Sequence, residues 1–244
     1  MPYVDHARKE LRLKIVYYGP GMGGKTTNLE QLHARSRPDR RGRLVTIEEK
    51  GERTLFFDLL PLDLGTFHGY RVRVHLCTVP GQIRYERIRQ LVLQHVDAVV
   101  MVMDSQHERL DDNLYSIEDL ARNLFLQGID ATRLPVVVQY NKRDLPNAAG
   151  LATLRKVLQI TRSTPQVRAV ATQGEGIFET FRVALSSCLK LVGDPALAPA
   201  GRSPSILPGR RASMFPSAAP EASDAEPVQI PLPPRVPSDI KHVA

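Results

Sequence analysis

The apolar and polar positions along the chain alternate between two kinds of pattern. Apolar runs bounded by turn residues predict strands at 13–18, 70–79, 98–103, 136–140 and 167–171. Apolar residues three or four positions apart predict helices at 25–35, 85–95, 112–127, 150–158 and 177–191. The runs AVVMVM and VVVQY are typical of strands that are covered on both faces. The alternation predicts an α/β fold, with a mostly parallel central sheet and helices on both faces.

Two regions depart from this alternation. Between the first helix and the strand at 70–79 lies an irregular stretch with two short strand candidates, 44–48 and 54–59. From about Pro195 to Ala244 the chain holds 11 of its 19 prolines and has almost no helical or strand periodicity. We therefore predict a folded domain over 1–193 and a disordered Pro-, Ala- and Ser-rich tail over 194–244. The tail is interpreted as a spacer, and the alternative is that its IPLPPRVP stretch presents a polyproline II ligand.

The stretch GPGMGGKTTN, residues 19–28, lies between the first predicted strand and the first predicted helix. It fits the phosphate-loop pattern, in which a glycine, four residues and Gly-Lys-Thr follow a strand. Glycines let backbone N–H groups converge on an anion, and the helix N-terminus adds partial positive charge. We predict that Lys25 reaches the β- and γ-phosphates and that the Thr26 hydroxyl ligates Mg²⁺. The residues expected to bind the phosphates are Gly19, Gly21, Gly23, Gly24, Lys25, Thr26 and Thr27.

The tetrapeptide NKRD directly follows the VVVQY strand, at the sheet edge where the phosphate loop is expected. The Asp144 carboxylate can accept from both N1–H and N2–H₂ of guanine, a pair of donors that adenine lacks. Asn141 is expected to contact the purine edge and hold neighbouring loops, and the Lys142 stem to cover the base face. Ala171 and Thr172, after the next strand, are expected to offer a backbone N–H to the guanine O6. The motif therefore indicates guanine as the base.

A third motif, TVPGQ at 78–82, ends the strand at 70–79. Gly81 is expected to place a backbone N–H at the γ-phosphate, and Gln82 to orient an attacking water. Ras-like GTPases usually carry an aspartate four residues before this glutamine, where it supports Mg²⁺ through water, whereas this chain has Thr78. A hydroxyl supplies no charge, so we expect weaker Mg²⁺ binding. Asp58, on a nearby strand candidate, is a candidate to compensate.

Four stretches together resemble the MglA family, bacterial small Ras-like GTPases that work in cell polarity and motility. They are GPGMGGKTTN, RTLFFDLLPLD at 53–63, TVPGQ and NKRDLP. The resemblance covers about residues 10–192 and leaves the tail outside. The chief departures are Met22 and Gly23 within the phosphate loop.

The resemblance implies roles that spacing alone does not. Thr54 matches the switch threonine that senses Mg²⁺ and the γ-phosphate, and Arg53 matches an arginine finger supplied in cis. Gln82 matches the residue that positions water. A roadblock-type activating partner, MglB, is implied, as are polarity or motility effectors. The resemblance also implies that the segment 54–59 slides along the sheet between nucleotide states.

Composition and charge bear on the possible partners and the cellular location of the protein. The chain has a net charge of +7, and the arginines crowded at 35–43 are interpreted as a solvated rim rather than a surface for an acidic partner or a membrane. No aromatic-rich basic motif supports nucleic-acid binding. Cys77 and Cys188 stand in apolar segments and are interpreted as reduced core residues. We expect a cytoplasmic protein without a membrane span or lipid anchor.

Two functional hypotheses follow from these motifs. The first is a GTP-hydrolysing molecular switch that uses GTP/GDP and Mg²⁺ and binds effectors in one nucleotide state. The second is a scaffold that binds GTP, hydrolyses it negligibly and recruits partners through its surface and tail. An ATPase ranks third, because it would leave Asp144 without a role.

Overall fold

The computed structural model describes residues 2–48, 55–82 and 85–193. Within these ranges the strands are β1 (Tyr3–Asp5), β2 (Glu10–Tyr18), β3 (Val45–Glu48), β4 (Leu55–Phe67), β5 (Tyr70–Thr78), β6 (Ala98–Asp104), β7 (Val136–Asn141) and β8 (Gln166–Arg168). The helices are α1 (Lys25–Arg35), α2 (Glu86–Leu93), α3 (Leu110–Leu126), α4 (Leu151–Val157) and α5 (Ile177–Val192). The predicted tail, 194–244, lies outside the described residues.

All the strands belong to a single sheet with the order β3-β4-β5-β2-β6-β7-β8, and β1 pairs with the start of β2. The pairs β5–β2, β2–β6, β6–β7 and β7–β8 are parallel. The pairs β3–β4, β4–β5 and β1–β2 are antiparallel. The predicted mostly parallel central sheet is confirmed, with an antiparallel edge formed by β3 and β4.

Side chains on the two faces of the sheet form two hydrophobic clusters, as β2 illustrates. Leu13, Ile15 and Tyr17 point to the cluster that α1 and α5 complete. Val16 and Tyr18 point to the cluster that α2, α3 and α4 complete. Because successive residues of a strand face opposite ways, a strand that is apolar at both parities needs helices on both faces. The predicted helical layers are therefore confirmed.

The largest error in the predicted elements concerns β4. The strand candidate at 44–48 corresponds to β3, but the candidate at 54–59 is too short, because β4 continues to Phe67 and forms a hairpin with β5. The added part of β4 contains Pro61 and Gly65, and both residue types usually weaken strands. The sheet accommodates both residues. The Pro61 carbonyl oxygen accepts a hydrogen bond from the Gly42 N–H at 2.8 Å, and a register shift between Asp63 and Thr66 accommodates Gly65.

Smaller differences occur at the ends of the sheet. The three-residue β1 was not predicted, because so short a segment carries no clear period. The strand predicted at 167–171 ends at Arg168, and the chain turns into a 3₁₀ helix over Ala171–Gln173. Both cysteines are buried and free, as expected for core residues.

Candidate functional site

The phosphate loop joins β2, the middle strand of the sheet, to α1. Its backbone passes so close to its neighbours that side chains are excluded at two positions. A Cβ on Gly19 would lie 2.2 Å from the Val102 carbonyl oxygen, and one on Gly24 would lie 2.2 Å from Asn141 Nδ2. Both glycines also have positive φ, 140° and 98°. Glycine is therefore required at both places on conformational as well as steric grounds.

Lys25 begins α1 and folds back across the loop. Its ammonium donates to the carbonyl oxygens of Gly19 at 2.9 Å and Pro20 at 2.7 Å. Burial lowers the pKa of this ammonium to about 8, although the nearby Asp58 raises it. A cation held only by two neutral carbonyls in a buried place is poised to bind phosphate oxygens, whose charge compensates its lost hydration.

Asp58, on β4, is the centre of what we call the switch-side cluster, formed with Thr26, Thr46 and Thr78. Its carboxylate, 1% exposed, accepts the hydroxyls of Thr26 at 2.8 Å, Thr78 at 2.9 Å and Thr46 at 3.0 Å. The Asp58 N–H also donates to Thr78 Oγ1 at 2.8 Å. The structure thus places a carboxylate, carried by β4, beside the threonine that stands where Ras-like proteins have an aspartate.

The donor set of this cluster suits a hard divalent cation. The Thr26 hydroxyl and the Asp58 carboxylate offer oxygen ligands of the kind that Mg²⁺ prefers. Among the described residues there is no group of three or more His, Cys, Asp or Glu side chains that could hold a metal unaided. Mg²⁺ prefers octahedral coordination and usually keeps several waters, so Thr26 and Asp58 would leave positions for phosphate oxygens and water.

The segment that follows β5 presses against the phosphate loop. A Cβ on Gly81 would lie 2.2 Å from the Gly21 nitrogen, so only glycine permits this backbone contact. The side chain of Gln82 is exposed, but its carbonyl oxygen accepts from Arg89 Nη1 at 2.5 Å and from the Tyr85 N–H at 3.2 Å. The Gln82 backbone is thus anchored while its amide faces solvent.

Asn141, at the end of β7, links the phosphate loop to the loop after β8. It is buried, and its Nδ2 donates to the Gly23 carbonyl at 2.8 Å while its Oδ1 accepts the Ala171 N–H at 2.9 Å. One turn into α1, Asn28 exchanges two hydrogen bonds with Gln139 of β7, at 3.0 and 2.9 Å. We call Asn28, Gln139 and Asn141 the base-side cluster, since they fasten α1 and the loop after β8 to β7.

Lys142 has a left-handed φ of 61°, and its ammonium pairs with the buried Asp104 at 2.6 Å. Asp104, at the end of β6, also lies 3.8 Å from Arg109 Nε. Arg109 Nη2 in turn donates to the Gly21 carbonyl of the phosphate loop at 2.8 Å. The side chain predicted to cover the base is thereby held by a carboxylate that also lies near Arg109, and Arg109 contacts the phosphate loop.

Asp144 is exposed and lines a cavity of about 300 Å³, near the lower end of the usual range for ligand sites. The other lining residues are Arg143, Arg168, Ala169, Val170, Gln173 and Glu175. Thr172 is exposed in the neighbouring 3₁₀ turn. Its carbonyl accepts from Gln31 Nε2 of α1 at 3.3 Å, which ties this turn to α1.

The structure places most of the residues predicted for the site at the carboxyl edge of the parallel strands. They are Gly19, Gly21, Gly23, Gly24, Lys25, Thr26, Thr78, Gly81, Gln82, Asn141, Lys142, Asp144, Ala171 and Thr172. Thr27 is half-buried in the first turn of α1. Arg53 and Thr54 lie outside the described residues, and their roles stay predictions.

Sequence reasoning missed several residues that hold the site. Thr46, Asp104 and Arg109 belong to none of the recognised motifs, and their contacts depend on strands and turns that meet only in the folded chain. Asp104 carried one usable signal, a carboxylate at the end of a continuously apolar strand. In a parallel sheet that position lies at the ligand-binding edge.

Two comparisons with known proteins agree with this arrangement. The model of the ADP-ribosylation factor family matches residues 3–188. The Mutual gliding-motility protein MglA of Myxococcus xanthus (strain DK1622) is 47% identical over 182 residues, which cover 75% of this chain and 93% of that protein. Among the described residues, no helix is long and apolar enough to cross a membrane.

Proposed function

We propose that this chain, which belongs to the ADP-ribosylation factor family and is a small GTPase related to MglA, is a switch in bacterial gliding motility or cell polarity. It binds GTP, hydrolyses it slowly to GDP and phosphate, and binds effectors in one nucleotide state. The proposal includes a cytoplasmic location and no nucleic-acid partner. Its activating partner is a roadblock-domain protein like MglB.

The observation that carries the proposal is the position of Asn141. Its side chain bonds to the phosphate loop at Gly23 and to the turn after β8 at Ala171, at 2.8 and 2.9 Å. The NKRD motif and the phosphate loop are therefore parts of one site rather than two chance matches. A site with both parts selects a guanine nucleotide over other phosphates.

The base is recognised by groups around the end of β7. The Asp144 carboxylate accepts from N1–H and N2–H₂ of guanine, and Lys142, held by Asp104, lies along the base face. Because Asn141 already accepts the Ala171 N–H, we assign the contact with the guanine O6 to the Thr172 N–H. The amide of Gln31 supports this turn from α1.

The phosphates are bound by backbone N–H groups of the loop and by Lys25, which exchanges the Gly19 and Pro20 carbonyls for phosphate oxygens. Thr26 and Asp58 would hold Mg²⁺, Thr26 through its hydroxyl and Asp58 as the charged group that Thr78 does not supply. When bound, the ion neutralises charge on the β- and γ-phosphate oxygens.

Hydrolysis proceeds by direct attack of water on the γ-phosphate, without a covalent enzyme intermediate. Gln82 orients the water, and the Gly81 N–H contacts the γ-phosphate. Arg53 supplies positive charge in cis and Thr54 senses the γ-phosphate, as the relationship to MglA implies. The γ-phosphate orders these segments, and its loss releases them, so effectors distinguish the two states.

The alternative function is a GTP-binding scaffold that hydrolyses negligibly. One observation favours it: Thr78 replaces the aspartate of Ras-like proteins, and the Asp58 carboxylate is bound by three hydroxyls. If those bonds persist with nucleotide bound, Mg²⁺ is held weakly and turnover is lost.

Single-turnover hydrolysis of GTP, with and without a saturating roadblock partner, separates the two functions. A switch hydrolyses slowly alone and faster with the partner, by as much as the roughly 10³–10⁵-fold that a correctly placed arginine supplies. Tight GTP binding with no turnover in either condition contradicts the switch and supports the scaffold. ATP binding as tight as GTP binding contradicts the assignment of the base.

A further inference from the structure

A second ionic cluster lies outside the nucleotide site, between α2 and α3. Arg89 of α2 and Asp119 of α3 are 2% and 3% exposed. Removing two charges from water is costly, and such pairs persist when their geometry is good and other hydrogen bonds complete them. The Asp119 carboxylate accepts hydrogen bonds from three further side chains, so the contacts made by this pair indicate what it positions.

The Arg89 guanidinium faces two elements at once. Its Nε lies 2.7 Å and its Nη2 3.3 Å from the two carboxylate oxygens of Asp119. Its Nη1 donates to the Gln82 carbonyl oxygen at 2.5 Å. The planar fork of an arginine can satisfy both partners in fixed directions, whereas a lysine ammonium cannot.

Asp119 is itself fixed relative to the phosphate loop. Its carboxylate accepts the Tyr18 hydroxyl and the Asn123 amide, the latter at 3.2 Å. Tyr18 is fully buried, ends β2 and immediately precedes Gly19. A chain of hydrogen bonds therefore runs from the start of the phosphate loop through Asp119 and Arg89 to the backbone of Gln82.

We infer that Arg89 is the positioning residue for Gln82 in GTP hydrolysis, an inference that rests on the proposed function. In this role Arg89 acts through the backbone of Gln82. Arg89 fixes the position of the Gln82 carbonyl. The backbone position in turn determines where the exposed Gln82 side-chain amide can contact the attacking water. The Tyr18–Asp119 pair sets that place relative to the loop that binds the phosphates.

The first test replaces Arg89 conservatively. Arg89→Lys keeps the charge beside Asp119 but cannot span Asp119 and the Gln82 carbonyl together. A displacement of about 1 Å at a catalytic group costs on the order of 100-fold in rate. We expect single-turnover GTP hydrolysis to slow by roughly 10- to 100-fold, with the dissociation constants of fluorescent GDP and GTP changed by less than about threefold.

Arg122→Lys is the matched control. Arg122 also donates to Asp119, at 2.8 Å, but it lies on α3, is half exposed and pairs with Glu86. If the cluster only stabilises the packing of α2 against α3, both variants should slow hydrolysis, or lower the melting temperature, to a similar extent. Equal effects overturn the inference, and a large loss confined to Arg89→Lys with an unchanged melting temperature supports it.

A double-mutant cycle with Gln82→Leu separates this inference from the proposed function. If Arg89 acts through Gln82, adding Arg89→Lys to Gln82→Leu slows hydrolysis no further. If the losses multiply, Arg89 acts by another route and the inference falls while the proposed function stands. If Gln82→Leu hydrolyses GTP at the rate of the unmodified protein, the proposed role of Gln82 falls and the inference falls with it.

Discussion

The base-side and switch-side clusters hold the same phosphate loop by different kinds of contact. In the base-side cluster, amide side chains bond to backbone groups or to one another, so these bonds join parts of the protein. In the switch-side cluster, Thr26 bonds to Asp58, and nearby Lys25 bonds to carbonyls of its own loop. Those hydroxyl, carboxylate and ammonium groups are the ones that we propose bind phosphate and Mg²⁺.

This difference indicates which protein contacts must change when the nucleotide binds. We expect the base-side bonds, which join protein groups to one another, to persist when the nucleotide binds, so that they contribute affinity without rearrangement. The switch side must exchange protein partners for phosphate and metal, and a ligand shifts a conformational equilibrium only through such differential contacts. The predictions below test this contrast, from the largest expected effect to the smallest.

Asn141→Ala should give the largest effect, because it leaves the Gly23 carbonyl and the Ala171 N–H without their buried partner. Each unsatisfied group costs about 1–3 kcal/mol, so the free energy of unfolding should fall by roughly 2–4 kcal/mol, measured by urea denaturation without nucleotide. Asn147→Ala, which removes an exposed bond to Glu108, is the control. Equal stability of both variants would show that the base side is not preorganised.

Asp144→Asn should change the choice of base and leave the fold intact, since Asp144 is exposed. An amide cannot accept from both guanine donors, and a hydrogen bond to a charged group is worth about 1.5–3 kcal/mol. GTP affinity should therefore fall by roughly 10- to 150-fold, while affinity for xanthosine triphosphate, which has a carbonyl in place of the 2-amino group, should rise. Competition binding with both nucleotides measures this; an unchanged preference contradicts the assignment of Asp144.

Asp58→Asn tests the switch side through the metal. The substitution removes the negative charge of Asp58, which Thr78 does not supply, and should therefore weaken Mg²⁺ binding. The Mg²⁺ concentration that gives half-maximal nucleotide retention should rise by about 10-fold, in line with the loss of one charged contact. Asp63→Asn, on the same strand but paired with Arg71, is the control. If retention by Asp58→Asn responds to Mg²⁺ as in the unmodified protein, the metal is held without this carboxylate. Melting temperatures exclude a loss of folding.

The smallest effect should come from titrating Lys25. Burial lowers the pKa of Lys25 to about 8 in the nucleotide-free protein, and bound phosphate favours the charged form. The free protein therefore loses this proton as the pH rises through 8, whereas the complex keeps it, so affinity should fall by about fivefold between pH 8 and pH 9. Lys25→Arg should bind more weakly but with no pH dependence over this range. If the nucleotide affinity of the unmodified protein does not change between pH 8 and pH 9, titration of Lys25 does not control binding.

The same contrast explains what the sequence could predict. The phosphate loop and NKRD are short contiguous motifs, and each follows a mostly apolar strand, so both are identified from local sequence. Asp58 meets Thr78 only through the antiparallel register of β4 on β5, which Pro61 and Gly65 obscured. The Arg89–Asp119 and Lys142–Asp104 pairs join residues 30 and 38 positions apart, and no local pattern specifies them.

The strand order has a consequence for how the protein is made. The phosphate loop leaves the ribosome early, but β2 lies between β5 and β6, and Asn141 needs the Ala171 N–H, about 150 residues after Gly19. At roughly 5–20 residues per second, the nascent loop waits about 8–30 s for its partners. Contacts so distant in sequence also close slowly. Cellular GTP can therefore stabilise only a chain that has been synthesised past Ala171, and a product truncated before Ala171 gains no protection from the nucleotide.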